Sequence, residues 1–441
     1  MLITNARLAT FGHNPALIED GALLIQGKRI AALGPTADLA SRFPDLDRWE
    51  ARGQLVLPAS ICAHTHFYGA FARGMAIPGE PPRSFPQILE RLWWRLDKVL
   101  TLEDVRYSAE VCLVDAIRHG TTTLIDHHAS PNAVGGSLDV IAEAVQRAGL
   151  RASLCYEVTD RDGAGRARAG IDENVRFARA VEDAPLLAAS FGLHASLTLS
   201  DETLADCVAA GEEVELGFHV HVAEGTSDQK DSLCKSGKRV VHRLGDAGIL
   251  GPKSVAVHCV HVDQSEIDRL ADTGTWVTHQ PRSNMNNAVG VAPVERMLGS
   301  GVDVGLGNDG FSNQMFAEMK TAYLVHKLDQ GDPQAMPGNM VMDLAYANNA
   351  RLARVFWPDQ SLGELTEGAM ADLVFIDYQP TTPLSVENLP WHILFGVEAS
   401  MITSTVCAGR VLMRDRKLLT LDEAAITAHS RELAANVWSR L

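Results

Sequence analysis

Eight short apolar segments with the character of β-strands recur between residues 54 and 309, and segments with helical periodicity separate them. Several helical segments end at a glycine, which is typical of helix C-termini. Strands that alternate with helices indicate an α/β fold with a parallel sheet. Eight such units predict a closed (β/α)8 TIM-like barrel, with an open doubly wound sheet as the alternative. The strand-like segments cover residues 54–66, 122–128, 151–158, 187–195, 215–224, 254–259, 275–280 and 302–309.

The two ends of the chain have a different pattern. Residues 23–35, and again residues 371–378 and 404–419, contain short hairpin-like segments rather than βα units. We expect residues 1–57 and 363–441 to form one small composite β-sandwich domain. The metal-dependent barrel of residues 58–362 would then be inserted between its two halves.

Charge and cysteine content exclude several classes of protein. The chain has 441 residues with 39 Lys or Arg, 55 Asp or Glu and a net charge of -16. No cluster of basic residues is present, which argues against a surface for nucleic acid or an anionic membrane. Its start lacks the features of a signal peptide, and no apolar run approaches the roughly 20 residues of a membrane helix. Seven scattered cysteines without a CxxC pair fit reduced thiols, so we expect a cytoplasmic protein.

A pair of histidines, His64 and His66, ends the first strand-like segment. Side chains two residues apart in a strand share one face, so both imidazoles can point into the same space and bind one metal ion. Two hydrogen-bonded polar residues without a metal are the alternative explanation for this pair alone.

The fifth segment ends with His219, His221 and, just beyond it, Glu224. Both histidines share a face, with His219 deeper in the barrel. His221 is nearer the C-terminal mouth, where barrel enzymes have their active sites, so we predict that His221 binds the metal ion. His219 is left with a supporting or packing role. Glu224 is placed to reach the bound water or the substrate.

The eighth segment ends at Asp309, which Gly310 follows. A buried aspartate without a partner is unfavourable, so a bound cation would explain its position. The alternative is an aspartate that caps the next helix.

Further histidines stand at the ends of segments four, six and seven: His194, His258 and His279. Each alone is more often a buried core residue than a functional group. Together with the residues above, however, they converge on one mouth of the barrel. The predicted ligands of one divalent ion supply three nitrogens and one oxygen, which suit zinc and also permit iron or manganese. These ligands are His64, His66, His221 and Asp309.

Residues 67–100 form a long segment after the first strand and carry both aromatic and basic side chains. A lid over a planar heterocycle is one interpretation, with Tyr68, Arg73 and Trp93 as substrate contacts. A helix that packs Trp93 and the adjacent Trp94 on the barrel rim is the other. Arg282, after the seventh segment, is a further candidate contact to an acidic substrate group.

These motifs resemble the amidohydrolase superfamily over nearly the whole chain. Within it, the chain is similar to the deaminase and chlorohydrolase branch and most similar to a subgroup of aminohydrolases called SsnA, through residues 92–97, 125–131, 135–139 and 282–287. Residues 363–377 are similar to the composite β domain of such proteins. The motifs shared with the superfamily are the HxH of His64 and His66, the HxxE of His221 and Glu224, His258, and the NDG around Asp309.

The resemblance implies hydrolytic deamination of a purine-, pterin- or pyrimidine-like heterocycle by a metal-activated water. Glu224 would move protons, His258 would stabilise the tetrahedral centre, and Asp309 would accept a proton from the water. His194 and His279 would contact the substrate. Binuclear relatives carry a carboxylated lysine on strand four; residues 187–195 contain no lysine, which implies one ion.

Two positions depart from the family pattern. Gly69 stands where purine- and triazine-processing relatives often have a glutamine that contacts the ring, which argues against a guanine-like substrate. Asn308 stands where a threonine or serine commonly precedes the metal-binding aspartate, which changes the hydrogen bonding around Asp309.

Two other functions stay open. The same site could hydrolyse another leaving group or a cyclic amide, as triazine chlorohydrolases do, because a metal site does not specify the bond that breaks. A non-catalytic interaction protein on the same fold is the more distant alternative, and it would be expected to lack some ligands. We expect a small-molecule substrate and, as is common among similar proteins, a homodimer.

Overall fold

The computed structural model describes residues 1–77 and 79–441; residue 78, in the middle of the predicted lid segment, lies outside the described residues. The strands within these residues are, in chain order, β1 (Leu2–Ala9), β2 (Leu17–Gln26), β3 (Arg29–Pro35), β4 (Arg48–Glu50), β5 (Leu55–Pro58), β6 (Ser60–Thr65), β7 (Thr121–Asp126), β8 (Arg151–Leu154), β9 (Leu187–Ala189), β10 (Phe191–Ala195), β11 (Phe218–Val222), β12 (Val255–His258), β13 (Trp276–His279), β14 (Val304–Leu306), β15 (Leu373–Ile376), β16 (Ile402–Cys407), β17 (Arg410–Arg414) and β18 (Lys417–Leu418).

The α-helices of the same residues are α1 (Thr36–Arg42), α2 (Phe85–Ile88), α3 (Trp94–Val99), α4 (Leu102–Arg118), α5 (Ser137–Ala148), α6 (Ala164–Val181), α7 (Asp201–Glu213), α8 (Thr226–Ser236), α9 (Val240–Asp246), α10 (Gln264–Thr273), α11 (Pro281–Asn286), α12 (Val294–Gly299), α13 (Met315–Gln330), α14 (Gly338–Met342), α15 (Asn349–Phe356), α16 (Leu389–Gly396) and α17 (Glu423–Ser439). Wider π-helical turns cover Leu89–Trp93 and Asp343–Asn348, and 3-10 turns cover Phe67–Ala72, Ser196–Thr198 and Ala399–Met401. Among the described helices, none combines the length and the apolar character needed to cross a bilayer.

Parallel strands close into a barrel between β6 and β14. Strands β6 to β9 pair in sequence order, and so do strands β10 to β14. The fourth barrel position is shared by β9 and β10, which flank Ser190. A parallel bridge between Thr65 and Asp309 joins the first strand to the last, and another joins Val158 to Leu193. The predicted (β/α)8 barrel is therefore confirmed, and the open-sheet alternative is wrong.

Strands from both ends of the chain form one nine-stranded sheet. Its centre is the antiparallel pair of β5 and β15, where Leu373 lies opposite Pro58. Composite β structure from both termini is thus confirmed, whereas the boundaries after residues 57 and 362 stay a prediction. One detail differs from the expectation for residues 54–66, because Leu55–Pro58 belongs to this sheet and only Ser60–Thr65 belongs to the barrel.

A buried ion pair connects the barrel to the terminal sheet. Arg151, at the start of β8, is fully buried, and its guanidinium pairs with Asp372, which directly precedes β15. The same guanidinium donates hydrogen bonds to Thr123 Oγ1 and Gln360 Oε1, both at 2.9 Å. The pair fixes the orientation of β15 against the barrel strands.

Helix α17 reaches the segment that follows β6. The indole Nε1 of Trp438 donates a hydrogen bond of 2.8 Å to the carbonyl oxygen of Phe71. Arg440 pairs with Asp104 at 2.7 Å, and the guanidinium of Arg95 contacts the carbonyl oxygen of Leu441. Helix α17 and the two residues after it therefore contact the predicted lid segment near both of its ends.

Candidate metal centre and active site

The four residues predicted to bind a metal ion meet at the C-terminal mouth of the barrel. Asp309 Oδ1 lies 3.0 Å from His66 Nε2 and 3.7 Å from His64 Nε2. The Nε2 atoms of His66 and His221 are 3.3 Å apart. Asp309 does not cap a helix, because the next helix, α13, begins only at Met315. The geometry brings these predicted ligands together as the sequence indicated.

Backbone hydrogen bonds determine which nitrogens of His66 and His221 carry lone pairs. The Nδ1–H of His66 donates to the carbonyl oxygen of His127 at 2.6 Å, and that of His221 donates to the carbonyl oxygen of His194 at 2.8 Å. A neutral imidazole has one N–H, so each Nε2 holds a lone pair. The two lone pairs face each other and repel unless a cation or proton lies between them. Burial lowers the pKa of His66, but the Asp309 carboxylate outweighs it and raises that pKa to about 9, so without an ion a proton on His66 Nε2 takes the place between these groups that a cation would occupy.

His64 is oriented by a chain of buried side chains. Its Nδ1 lies 2.9 Å from His219 Nε2, and His219 Nδ1 lies 3.8 Å from the Cys155 sulfur, which lies 3.4 Å from the carbonyl oxygen of Asp126. Burial raises the pKa of the Cys155 thiol well above its ordinary value, so it stays an S–H that donates to this carbonyl. Its sulfur then accepts from His219 Nδ1–H, and His219 Nε2 accepts from His64 Nδ1–H. His64 Nε2, which has no hydrogen-bond partner among the described residues, keeps a lone pair for a cation.

The backbone around Asp309 holds its carboxylate against the histidines. The amide groups of Asn308 and Asp309 donate to the carbonyl oxygen of His64 at 3.0 and 3.1 Å. Gly307 permits this approach, because a Cβ there would lie 2.7 Å from the His64 backbone nitrogen. Asp309 has a left-handed φ of 58°, and Ser283 Oγ donates to its Oδ2. Burial alone would raise the pKa of Asp309, but the neighbouring histidines His64 and His66 hold it well below its usual range.

Glu224 and His258 form a second pair next to this cluster. His258 Nε2 lies 3.3 Å from Glu224 Oε2 and 3.9 Å from Asp309 Oδ2. His258 Nδ1–H donates to Asn284 Oδ1 at 2.8 Å, so its Nε2 faces the carboxylates. Asn287 Nδ2 donates to Glu224 Oε1 at 3.1 Å, and burial raises the pKa of Glu224. A carboxyl group with a raised pKa can both accept and donate a proton near neutral pH.

A cavity of about 50 Å³ lies next to these residues, and aromatic side chains form part of its wall. Three of the predicted substrate contacts line it: Tyr68, Trp93 and His194. Trp94 lines it as well, so both tryptophans face the cavity rather than only packing on the rim. The Trp93 ring lies 3.3 Å from the position of a Cβ on Gly69. The indole therefore fills the space that a longer side chain at residue 69 would use.

Three other predicted substrate contacts lie away from the cavity. Arg73 is exposed. His279 is buried, and its Nε2 lies 3.2 Å from His326 Nε2. Arg282 pairs with the buried Glu318 at 2.5 Å, which directs its guanidinium behind the barrel mouth. None of these three side chains lines the cavity, so the geometry gives no support to a substrate contact.

Several residues that line the cavity were not predicted from the sequence. Glu157 follows β8 and lines the cavity. It stands near the end of the strand-like segment 151–158, and a position at the end of such a segment was the reason for proposing the histidines as site residues. Asp97 and Asn287 also line the cavity, from α3 and from the residue after α11. Neither stands at a strand end, so strand periodicity could not locate them.

Comparison with known proteins places the chain in a family. The model of the "Amidohydrolase family" matches residues 55–412, and that of the "Imidazolonepropionase-like composite domain, bacteria" matches residues 21–45. The chain belongs to the amidohydrolase family, and like its curated relatives it is a hydrolase that acts on carbon–nitrogen bonds.

Two relatives and one solved structure are examples of the proteins to which the chain is similar. A 5'-deoxyadenosine deaminase of Methanosarcina mazei is 31% identical, covering 100% of this chain and 99% of that protein. A 5-methylthioadenosine/S-adenosylhomocysteine deaminase of Haloarcula marismortui is 34% identical over 89% of each chain. The crystal structure of an adenosine deaminase from Xanthomonas campestris with bound zinc has a TM-score of 0.89 at 23% identity, covering 99% of this chain and 98% of that one, and it supports the fold.

Proposed function

We propose that this protein is a metal-dependent deaminase that converts a 6-aminopurine nucleoside and water into the 6-oxo product and ammonia. The observation that carries the proposal is the close approach of three donor atoms: the Nε2 atoms of His66 and His221 are 3.3 Å apart, and Asp309 Oδ1 lies 3.0 Å from His66 Nε2. Similar proteins named as deaminases of 5'-deoxyadenosine and 5-methylthioadenosine favour this substrate class.

A single ion fits the donor atoms. His64, His66, His221 and Asp309 offer three nitrogens and one oxygen, the donor set of zinc sites. His127 and Glu157 form another possible group with His221, but His221 has only Nε2 free because its Nδ1 donates to a carbonyl. One nitrogen cannot serve two ions at once, so we propose one zinc ion per chain. When bound, such an ion acidifies water and so supplies a nucleophile at neutral pH.

Three side chains of this protein would transfer protons or stabilise charge during the reaction. Asp309, at 3.0 Å from His66, is placed to take a proton from the attacking water. Glu224 Oε2 would transfer a proton to the ring nitrogen next to the carbon under attack, and later to the leaving amino group. His258, held by Asn284 at 2.8 Å, would stabilise the oxygen that develops charge at the tetrahedral centre. The carbon–oxygen bond forms, the carbon–nitrogen bond breaks, and ammonia leaves.

The covering side chains favour a planar ring. Tyr68, Trp93 and Trp94 line one side of the cavity, and aromatic faces stack on heterocycles. With Trp93 against Gly69, no side chain from residue 69 can contact the ring edge, which agrees with the argument against guanine. From the sequence, we also propose that the protein belongs to the SsnA subgroup, that it is cytoplasmic and that it forms a homodimer.

The test combines metal analysis with an ammonia-release panel on the purified protein. We expect about one zinc per chain and ammonia release from adenosine, 5'-deoxyadenosine and 5'-methylthioadenosine, with little from guanine, pterin, cytosine or aminotriazines. Release of chloride from a chlorotriazine, or opening of a cyclic amide, without any deamination would replace this function by the corresponding alternative. Absence of both metal and turnover would favour a non-catalytic protein.

A further inference from the structure

The cavity wall is rich in acidic side chains. Among the described residues that line it there is no Lys or Arg, whereas five of them are carboxylic acids. Apart from the proposed metal ion and the histidines that would bind it, an anionic part of a substrate would therefore find no matching cation among these residues. The acidic residues are Asp97, Glu157, Glu224, Asp228 and Asp309.

Most of these acids already have partners within the protein. Glu224 and Asp309 belong to the reacting centre. Asp228 accepts hydrogen bonds from the backbone amides of Leu197 at 3.0 Å and Ala223 at 2.8 Å. The remaining two, Asp97 and Glu157, both lie close to the guanidinium of Arg161.

The nearest guanidinium, that of Arg161, is not available to a substrate. Arg161 pairs with Asp97 at 2.6 Å, and both side chains are almost fully buried. Its guanidinium lies 5.0 Å from the centre of the Trp94 ring, which covers it on the cavity side. Asp97 and Arg161 therefore neutralise each other, and Glu157 contributes the net negative charge of this wall.

Glu157 is a buried carboxylate that accepts no short hydrogen bond from the described residues. Its side chain is 4% exposed. Its oxygens lie 3.4 Å from His127 Nδ1, 3.6 Å from Arg161 Nη2 and 3.9 Å from His194 Nε2. All three distances exceed the 2.7–2.9 Å of a charge-assisted hydrogen bond. A buried carboxylate with free acceptor capacity that faces a cavity is matched by a hydrogen-bond donor on the ligand.

We infer, on the basis of the proposed function, that Glu157 selects the substrate: it accepts a hydrogen bond from a hydroxyl or ammonium group and excludes substrates that carry a net negative charge on the part remote from the ring. Neutral nucleosides such as 5'-deoxyadenosine and 5'-methylthioadenosine meet this requirement. Adenosine 5'-monophosphate brings a phosphate next to a carboxylate that repels it.

The first measurement compares substrates on the zinc-loaded enzyme. We expect kcat/KM for 5'-deoxyadenosine to exceed that for adenosine 5'-monophosphate by at least about tenfold, because like charges in a site of reduced dielectric repel strongly. Equal or better turnover of adenosine 5'-monophosphate would overturn the inference.

The second measurement uses Glu157→Gln, which keeps the shape and removes the charge. We expect the ratio of kcat/KM for adenosine 5'-monophosphate to that for adenosine to rise by about tenfold or more, with KM carrying most of the change. The matched control is Glu173→Gln, because Glu173 is also buried but accepts hydrogen bonds from the amides of Gly136 and Leu138 on the outer helices. An unchanged ratio in Glu157→Gln, or an equal change in Glu173→Gln, would contradict the role of Glu157.

Binding measurements separate this inference from the proposed function. Calorimetry with adenosine and its monophosphate, and with pterin and its 6-carboxylate, compares neutral and anionic members of each pair without turnover. If a neutral member binds more tightly than its anionic counterpart but releases no ammonia, the result would contradict the deaminase proposal and support the inference. Binding that does not distinguish the members, or no binding of either neutral compound, would overturn the inference.

Discussion

His64 Nδ1 and His219 Nε2 lie 2.9 Å apart, and both side chains are completely buried. His219 in turn has the Cys155 sulfur at 3.8 Å from its Nδ1. Since the ring nitrogen of a histidine that faces a metal is determined by the hydrogen bond of the other nitrogen, His219 acts on the metal site through His64. His219 is therefore a positioning residue.

Replacing His219 should weaken metal binding in a way that depends on hydrogen bonding. We expect His219→Leu to raise the Kd for zinc by roughly 10- to 100-fold, the usual effect of removing a group that orients a ligand. His219→Gln, whose side-chain oxygen can accept from His64 Nδ1–H, should recover much of this loss. Chelator competition measures the Kd, and unchanged zinc affinity in folded His219→Leu would refute the role.

Removing a ligand should abolish both metal and activity. We expect His66→Ala and Asp309→Ala to purify with little bound zinc and to release no measurable ammonia, because each loses one of four donor atoms. His13→Ala changes an exposed histidine and serves as the control. Metal content and ammonia release are measured on the same samples, and full turnover by metal-free His66→Ala would defeat the assignment.

Glu224→Gln should separate proton transfer from metal binding. The amide keeps the size of Glu224 and can still contact Asn287, which lies 3.1 Å from the carboxylate. It cannot carry the proton, so we expect kcat to fall roughly 10²-fold or more while zinc content stays the same. Steady-state kinetics with metal analysis tests this. A kcat equal to that of the wild type would remove Glu224 from the mechanism.

His128 should make the fold sensitive to acid. It is fully buried with Nε2 2.8 Å from Ser130 Oγ, and burial lowers its pKa from 6.5 to about 3. The unfolded chain binds a proton near pH 6.5 and the folded chain does not, so the stability present above pH 6.5 is lost as the pH falls toward 3.

The measurement compares the wild type with His128→Gln. We expect the difference in their free energies of unfolding to shrink by about 1.4 kcal/mol per pH unit between pH 6 and 4. Urea unfolding at several pH values provides the data, and His13→Gln is the exposed control. Parallel pH profiles for wild type and His128→Gln would contradict the prediction.

Breaking the ion pair between barrel and terminal sheet should be costly. Asp372→Ala leaves the fully buried Arg151 guanidinium without its carboxylate, and we expect it to lower the free energy of unfolding by about 3–5 kcal/mol. The double variant Arg151→Met, Asp372→Leu removes both charges and should lose less. Denaturant unfolding compares them, and a double variant less stable than Asp372→Ala would show that packing rather than charge dominates.

Strand periodicity was enough to predict the barrel and to place the candidate metal ligands at one mouth of it. The side chains of His64, His66, His221 and Asp309 stand at strand ends, and parallel strands deliver their C-terminal ends to one mouth. The same reasoning could not tell that His279 belongs to a neighbouring buried pair, since residues at strand ends can point into the mouth or behind it.

The cavity wall was harder to predict, because it depends on helix orientation and on long-range pairing. Trp94 faces the cavity together with Trp93 because the chain there forms a wide π-helical turn before α3, and adjacent residues then lie closer to one face. The pairing of Asp97 with Arg161 joins residues 64 positions apart, which no local pattern indicates.

The hydrogen bond from Trp438 Nε1 to the carbonyl oxygen of Phe71 joins helix α17 to the 3-10 turn Phe67–Ala72, which also carries Tyr68 of the cavity wall. A displacement of α17 would shift this turn and Tyr68 with it. The docking of a helix that contributes no residue to the cavity lining is therefore coupled to the shape of the cavity.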